Sequence, residues 1–289
     1  MKITLLGGDM RQRYAAESFS CFFDEVAIWG LGNWEGASPF ITIYDTPQEA
    51  LNESSFCVLP IVTSRDGVTL WCPLDDGAKI ELLYLFDIFS SNSTILGGNV
   101  PSETFSKLKC RYINFSDREE LQIRNALLTA EGALALGITK TQSSLLGANV
   151  AVLGYGRIAR FLCRELSAVG AKVTVFARKS TDRAIAISCG FNALSFEEDF
   201  SVRLSRDFDI IYNTIPVRII SENTLSCMKK DVVVIDLASA PGGVDTEVAS
   251  KYGIETILAQ GLPGKIAPKT AGEIVADTVV HILKEEEYI

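Results

Sequence analysis

Short apolar runs, each the length of one buried strand, alternate along the chain with stretches in which apolar positions recur every three or four residues. In the first third the runs are Lys2 to Gly7, Glu25 to Gly30, Ser55 to Pro60, Thr94 to Gly97 and Arg111 to Asn114. Strand and helix patterns alternating in this way predict a mostly parallel sheet covered by helices. Asp66-Gly67, between Ile61-Val62-Thr63 and Val68-Thr69-Leu70-Trp71, interrupts the pattern and reads as a hairpin turn. Ile80, Leu82, Leu83, Phe86 and Phe89 then predict a nearly all-apolar, well-buried helix.

Ser116 to Gly137 is different. Ser116-x-x-Glu119 reads as a capping box, and Ile123, Leu127, Ala130 and Leu134 follow at helical spacing, which predicts a linking helix. Beyond it come an apolar strand opening at Val150, a second at Lys172 to Ala177, and others near Asp209 to Asn213, Val232 to Asp236 and Ile254 to Leu258. A last helix, from about Thr270 to Glu286, carries Ile274, Val275, Thr278, Val279 and Ile282 on one side. The predicted fold is α/β, with two open parallel-sheet domains. Residues 1–117 form an N-terminal substrate-side domain, 118–269 the linking helix and a Rossmann dinucleotide-binding domain, and 270–289 a helix packing back on the first domain.

The strand that opens at Val150 gives the second domain its chemistry. It ends in Gly154-Tyr155-Gly156-Arg157-Ile158-Ala159 and passes directly into a helix with Ile158, Phe161, Leu162, Leu166 and Val169 on one face. Gly154 makes the tight turn, Gly156 lets a pyrophosphate approach the backbone, and Ala159 lets helix and strand pack closely. The first helical turn offers free amides and the positive end of the helix dipole to an anion. A dinucleotide enzyme that uses NAD places an acid at the end of the next strand, about 20 residues on, to accept from the ribose hydroxyls. Here Ala177 takes that place, followed by Arg178, Lys179 and Ser180. That set favours a 2′-phosphate and hence NADP, with NAD as the alternative. Asn213-Thr214-Ile215-Pro216 and Asp236-Leu237-Ala238-Ser239 end two further strands at the lip where the nicotinamide ribose and ring would lie. Asn213 and Asp236 read equally as structural hydrogen-bonding residues.

Two more stretches carry candidate groups. Gly7-Gly8-Asp9-Met10-Arg11 lies between a strand and a helix but lacks a third small residue, so it suits a smaller anion, with Gly8, Asp9 and the Arg11 fork as its contacts. In the alternative Asp9 is a helix N-cap and Arg11 a surface charge. Gly261 to Thr270 reads as a long, proline-stiffened loop whose Lys265 and Lys269, with Thr270, offer cations to a substrate. It is not a phosphate-binding P-loop, because Ala259 and Ile266 stand where a glycine and a hydroxyl are needed. Lys265, Asp236 and Glu131 are the acid-base candidates.

Composition narrows the class. A chain of 289 residues with 47% hydrophobic content has room for about two domains. The formal net charge of −9 argues against a general affinity for nucleic acid or anionic membranes. Seven cysteines, never in a C-x-x-C pair, fit neither a disulfide framework nor a zinc site, and no metal is expected. The opening apolar run is too short for a signal peptide and no stretch is long enough to span a membrane, which points to the cytoplasm. The one histidine, His281, and the lack of a G-x-S-x-G elbow disfavour a serine hydrolase or a dehydrogenase with a catalytic histidine.

Taken together, Gly-Gly-Asp-x-Arg-Gln at 7–12, Ala-Glu-Gly-Ala at 130–133, the Gly154 fingerprint, Asn-Thr-Ile-Pro at 213–216, Asp-Leu-Ala-Ser-x-Pro-Gly-Gly at 236–243 and Leu-Pro-Gly-Lys-x-Ala-Pro-Lys-Thr-Ala-Gly at 262–272 resemble the dipicolinate synthase A-subunit family along nearly the whole chain. The resemblance implies oxidation of a lysine-pathway tetrahydrodipicolinate-type precursor to pyridine-2,6-dicarboxylate in sporulating cells, and it implies a partner, a flavoprotein-like B subunit; an oligomer is expected. A small dicarboxylate would be met by Arg11 on one side of a cleft and the Lys265 to Lys269 stretch on the other. Two other readings stand beside it: an alanine- or hydroxyacid-dehydrogenase-like oxidoreductase on another small acid, and a nucleotide-binding regulatory subunit without turnover.

Overall fold

The apolar runs become parallel strands. The computed structural model describes residues 1–100, 102–197, 200–239 and 241–289, and the chain divides into two units, 1–124 with 267–289, and 125–266. The first unit holds β1 (Lys2–Leu6), α1 (Met10–Phe19), β2 (Glu25–Trp29), β3 (Ile41–Ile43), α2 (Pro47–Leu51), β4 (Phe56–Val58), α3 (Leu82–Asp87), β5 (Thr94–Gly97), α4 (Ser102–Phe105) and β6 (Arg111–Asn114). A 3-10 turn over Phe115–Asp117 leads into α5 (Glu119–Lys140), within which the unit boundary falls. The second unit continues with β7 (Asn149–Leu153), α6 (Arg157–Ala168), β8 (Lys172–Phe176), α7 (Ser180–Ser188), β9 (Asn192–Leu194), α8 (Phe200–Arg206), β10 (Ile210–Asn213), α9 (Glu222–Cys227), β11 (Val233–Asp236), α10 (Thr246–Lys251), β12 (Glu255–Leu258) and α11 (Leu262–Ile266). The last helix, α12 (Pro268–Glu285), belongs to the first unit.

Among the described residues each unit has one six-stranded sheet, in the orders β3-β2-β1-β4-β5-β6 and β12-β11-β10-β7-β8-β9. Every strand pairing is parallel. The first strand of each sheet is central and the order reverses beside it, at β1/β4 and at β7/β10. Crevices at such reversals, outside the carboxyl ends of the strands, are where doubly wound sheets bind ligands.

Helices on both faces explain why the central strands read as unbroken apolar runs. In the second unit Val150, Val152, Ile210, Tyr212, Val233 and Ile235 join one core, while Ala151, Leu153, Ile211 and Val234 join the opposite one. This is the period-two alternation of a strand buried on both sides. In the first unit α12 lies against α1. A β-carbon on Gly272 would fall on the Arg11 carbonyl oxygen and within 2.7 Å of the Tyr14 β-carbon, so only glycine lets the helices meet this closely. The five apolar-side residues predicted for this helix are all buried there.

Several local expectations are corrected. No hairpin forms at Asp66-Gly67; instead Asp66 accepts from the Val68 and Thr69 amides at 2.8 and 2.7 Å and from the Ser64 and Thr69 hydroxyls, and Thr69 makes an isolated bridge to Glu81. Those bonds hold the Asp66 carboxyl below the usual carboxylate range. Ser116 makes no capping box, because it sits inside the 3-10 turn that Asn114 caps, and α5 starts at Glu119. The apolar stretch at 80–89 is helical only over Leu82–Asp87, with Leu83 and Tyr84 exposed. The stretch at 261–270, read from the sequence as a loop, is largely α11 and the first turn of α12. β3 and β9 went unpredicted: each has three residues, and β3 is largely exposed and β9 only partly buried, so little apolar pattern marks them.

Candidate functional site

At the β7/β10 reversal the glycine fingerprint has the geometry its spacing implies. Gly154 has φ +95°, its amide donates to the Phe176 carbonyl at 2.8 Å, and a β-carbon there would strike the Thr214 hydroxyl. Gly156 is the N-cap of α6 and has no side chain to satisfy the first-turn amides; no acid lies in that turn, and a β-carbon on Gly156 would meet nothing within 4 Å. The helix therefore opens onto free space with its amides and dipole unopposed, which fits a pyrophosphate. Ala159 is fully buried in the core with Val150 and Val152, so its small size serves packing. The Tyr155 ring is buried in the same core, and Arg160 lies 5.4 Å over the ring while donating through Nε to the Tyr155 carbonyl at 3.2 Å. Arg157 and Ile158 form the first turn of α6.

At the end of β8, Ala177 is buried and donates its amide to Leu194 at 3.0 Å. Arg178, Lys179 and Ser180 are exposed, and Ser180 begins α7. Sequence reasoning missed Arg183, whose Nη1 donates to the carbonyls of Ala177 and Arg178 at 2.9 and 2.8 Å and so fixes the backbone that carries Arg178. It also missed Asp182, in the first turn of α7, whose carboxylate lies 3.8 Å from Arg160 Nη2.

The ends of β10 and β11 are joined by a buried network. Asp236 is 1% exposed and accepts from Asn213 Nδ2 at 2.7 Å, from the Ala238 amide at 3.1 Å and from the Gly243 amide at 2.7 Å. Asn213 in turn donates to the Ile215 carbonyl and accepts from its amide. Asp236 thus ties the two strand ends together as a hydrogen-bond acceptor, and Asn213 holds the turn that carries Thr214, Ile215 and Pro216. The Thr214 hydroxyl is likewise spent on the Leu153 carbonyl at 2.8 Å. Leu237 and Ala238 are buried; Ser239 is exposed. Gly243, against which Asn213 packs too closely for any β-carbon, was legible only as one of two adjacent glycines.

In the first unit the glycine turn is less open than its sequence suggests. The Gly7 amide donates to Trp29 at 2.8 Å and the Gly8 amide to Trp71 at 2.7 Å. Asp9 is the N-cap of α1, and its carboxylate also takes Nε and Nη2 of Arg11 at 2.9 Å each. In this arrangement Asp9 takes one edge of the Arg11 fork, and Nη1 is the end outside that pair. The contact at Gly272 places the start of α12 beside Arg11, in the same unit as the exposed Lys269 and Thr270. Pro268 occupies the first turn of α12, and no side chain caps it. Lys265 is exposed on α11, in the other unit.

Glu131 is exposed on α5. It adds its charge to the burial of Glu165, whose Oε2 has no hydrogen-bond partner; burial first and Glu131 second push the Glu165 carboxyl up to about 7. His281 is exposed on α12 and lies 2.9 Å from Glu285.

Two doubly wound units, one carrying an open glycine fingerprint at its reversal point, define the class of the NAD(P)-dependent oxidoreductases. Residues 128–249 match the family described as D-isomer specific 2-hydroxyacid dehydrogenase, NAD binding domain, and residues 2–117 match the family of N-terminal domains of the dipicolinate synthase A subunit. The dipicolinate synthase A subunit of Bacillus subtilis (strain 168) is 31% identical, over 99% of this chain and 96% of its own length. The crystal structure of the corresponding subunit from Bacillus halodurans superposes with a TM-score of 0.87 at 30% identity, covering 98% of this chain and 97% of that one; the one from Bacillus subtilis does so at 0.85 and 28%, covering 99% and 97%. The chain belongs to the dipicolinate synthase A-subunit family.

Replacing Asp236 by alanine takes the acceptor from one N–H of the Asn213 amide and from two buried backbone amides, and should destabilise the fold by about 3 kcal/mol or more. A urea denaturation curve reads this directly; a variant that stays as stable as the wild type and loses only turnover would restore Asp236 as a base. The raised Glu165 value gives a pH signature. The folded state binds the extra proton, so the stabilising margin is full below the ordinary value of 4.5 and is lost as pH rises through about 7. Glu165→Gln should flatten melting temperature against pH over that window, by on the order of 1 kcal/mol after solvent screening is allowed for.

Proposed function

We propose that this chain oxidises a hydroxytetrahydrodipicolinate- or dihydrodipicolinate-type precursor to pyridine-2,6-dicarboxylate with NADP, as the dehydrogenase partner of a flavoprotein-like B subunit in the cytoplasm of a sporulating cell. The observation that carries the reading is the pairing, in one chain, of a family-specific first unit with an open dinucleotide cradle whose ribose end lacks an acid at Ala177 and exposes Arg178, Lys179 and Ser180.

Each residue's part follows from its surroundings. The first-turn amides of α6 hold the pyrophosphate, and Gly154 keeps the turn low enough for it to approach. Arg183 fixes the strand-end carbonyls so that Arg178 can stack on adenine and fork onto a 2′-phosphate. The Asn213–Asp236 network fixes the lip at 213–216 and 237–239, where Ser239 is the exposed hydroxyl. When bound, the nicotinamide supplies the acceptor for one hydride. Arg11, through Nη1, with Lys269, Thr270 and the uncapped amides of α12, meets the substrate carboxylates. A hydroxytetrahydro precursor first loses one water to give the dihydro compound, which becomes aromatic by losing that hydride to the nicotinamide and one proton; with Asp236 committed to its network, Glu131, water or Lys265 in its neutral amine form takes the proton. Aromaticity drives the step to completion.

Titration of both cofactors tests the ribose reading. NADP should bind more tightly than NAD, and Arg178→Ala should weaken NADP by about 1.5–3 kcal/mol while changing NAD little; equal wild-type affinities or parallel losses would remove it. Arg11→Ala should weaken productive substrate binding about tenfold or more with cofactor affinity unmoved. Both effects are read in a dipicolinate assay run with this chain alone and with the B subunit present. Full activity from the chain alone would make the partner dispensable, and tight cofactor binding without turnover in either mixture would favour the regulatory reading.

A further inference from the structure

Neither the fingerprint nor the Arg178 turn accounts for the charge pair between α6 and α7. Arg160 is the fourth residue of α6 and Asp182 the third of α7. Arg160 is anchored twice on the glycine turn, through Nε to the Tyr155 carbonyl at 3.2 Å and by its Cζ over the Tyr155 ring at 5.4 Å from the centroid. So fixed, its Nη2 reaches Asp182 Oδ1 at 3.8 Å. The acid is the more sheltered partner, with its side chain 28% exposed against 51% for the base.

The pair spans the edge between the glycine turn and the end of the second strand of the fingerprint unit, which is where the adenosine ribose of a bound dinucleotide lies. An unpaired carboxylate on that edge accepts hydrogen bonds from a ribose 2′-hydroxyl and repels a 2′-phosphate. The strand-end acid that usually does this is absent, since Ala177 is there, but Asp182, in the first turn of the helix that follows that strand end, supplies a carboxylate from the next element. We propose that Arg160 sets the choice between NADP and NAD by neutralising Asp182, acting as a positioning residue for that acid and not as a direct phosphate ligand. The inference rests on dinucleotide binding by this unit, and it holds whichever cofactor the wild type prefers, because it concerns the ratio of the two affinities.

The test is a double-mutant cycle in which NADP and NAD are titrated into the full-length wild type, Arg160→Ala, Asp182→Asn and the double variant by calorimetry. Arg160→Ala should weaken NADP about tenfold and leave NAD within about threefold, because it releases a carboxylate next to a dianionic phosphate. Once Asp182 is already asparagine, removing Arg160 should change NADP affinity by less than about threefold. Arg160→Lys, which keeps the charge, should retain most of the wild-type ratio and controls for misfolding of the alanine variant. An equal loss of NADP affinity in both backgrounds would mean that Arg160 touches the phosphate itself, and equal losses for the two cofactors would mean a structural role; either overturns the proposal, as does no loss. Arg178→Ala, run alongside, reports separately on whether NADP is preferred at all.

Discussion

The constraint on which the rest of the molecule depends is the close approach of neighbouring chain at the two points where strand order reverses. In a doubly wound sheet the turns leaving the central strand and the strand beside it cross the same small space. At β7/β10 the Thr214 hydroxyl and Ile215 crowd Gly154; at β1/β4 the β-carbons of Pro60 and Gln12 lie 3.0 Å from where one on Gly8 would be. Both glycines have positive φ, so neither the space nor the backbone conformation admits another residue without strain. The same geometry leaves the crevices where doubly wound sheets bind ligands. Crowding under the turn and openness above it are one arrangement, as the empty space in front of Gly156 shows.

The two turns differ in what they do with their amides. The second unit leaves the start of α6 uncapped, and an anion is the natural complement to that helix end. The first unit spends its glycine amides on Trp29 and Trp71 and caps α1 with Asp9, which then takes one edge of the Arg11 guanidinium. A strand, a glycine pair and a helix are common to both; side-chain capping decides that the amides starting α6 stay uncapped while those starting α1 do not. In a chain with formal net charge −9, anion binding has to come from such local placement of cations and amides.

Carboxylates show how environment assigns a role that residue type leaves open. Asp236 receives three donors and becomes a tie between strand ends, whereas Glu165 is partly buried with an oxygen that receives none and titrates near neutrality. Asp66, exposed and ringed by donors, is held acidic. By residue type and position alone Asp236 and Glu131 stand as acid-base candidates and Glu165 does not, because an acid on an amphipathic helix carries no sign of how deeply its tip is set.

The residue pattern by itself determined the α/β class, the parallel strands at 2–7, 25–30, 55–60, 94–97 and 111–114, the glycine fingerprint and the burial of Ile274, Val275, Thr278, Val279 and Ile282. These are consequences of local periodicity and of the steric needs of glycine, and both are written in adjacent residues. Only the tertiary structure decided that Asp236 is a hub, that Asp9 closes the Arg11 fork, that Arg183 clamps the Arg178 turn, and that Arg160 reaches Asp182. Each of those depends on which side chain meets which across a turn or between elements, and the same residue type is a base, a cap or a tie according to the donors that packing brings to it.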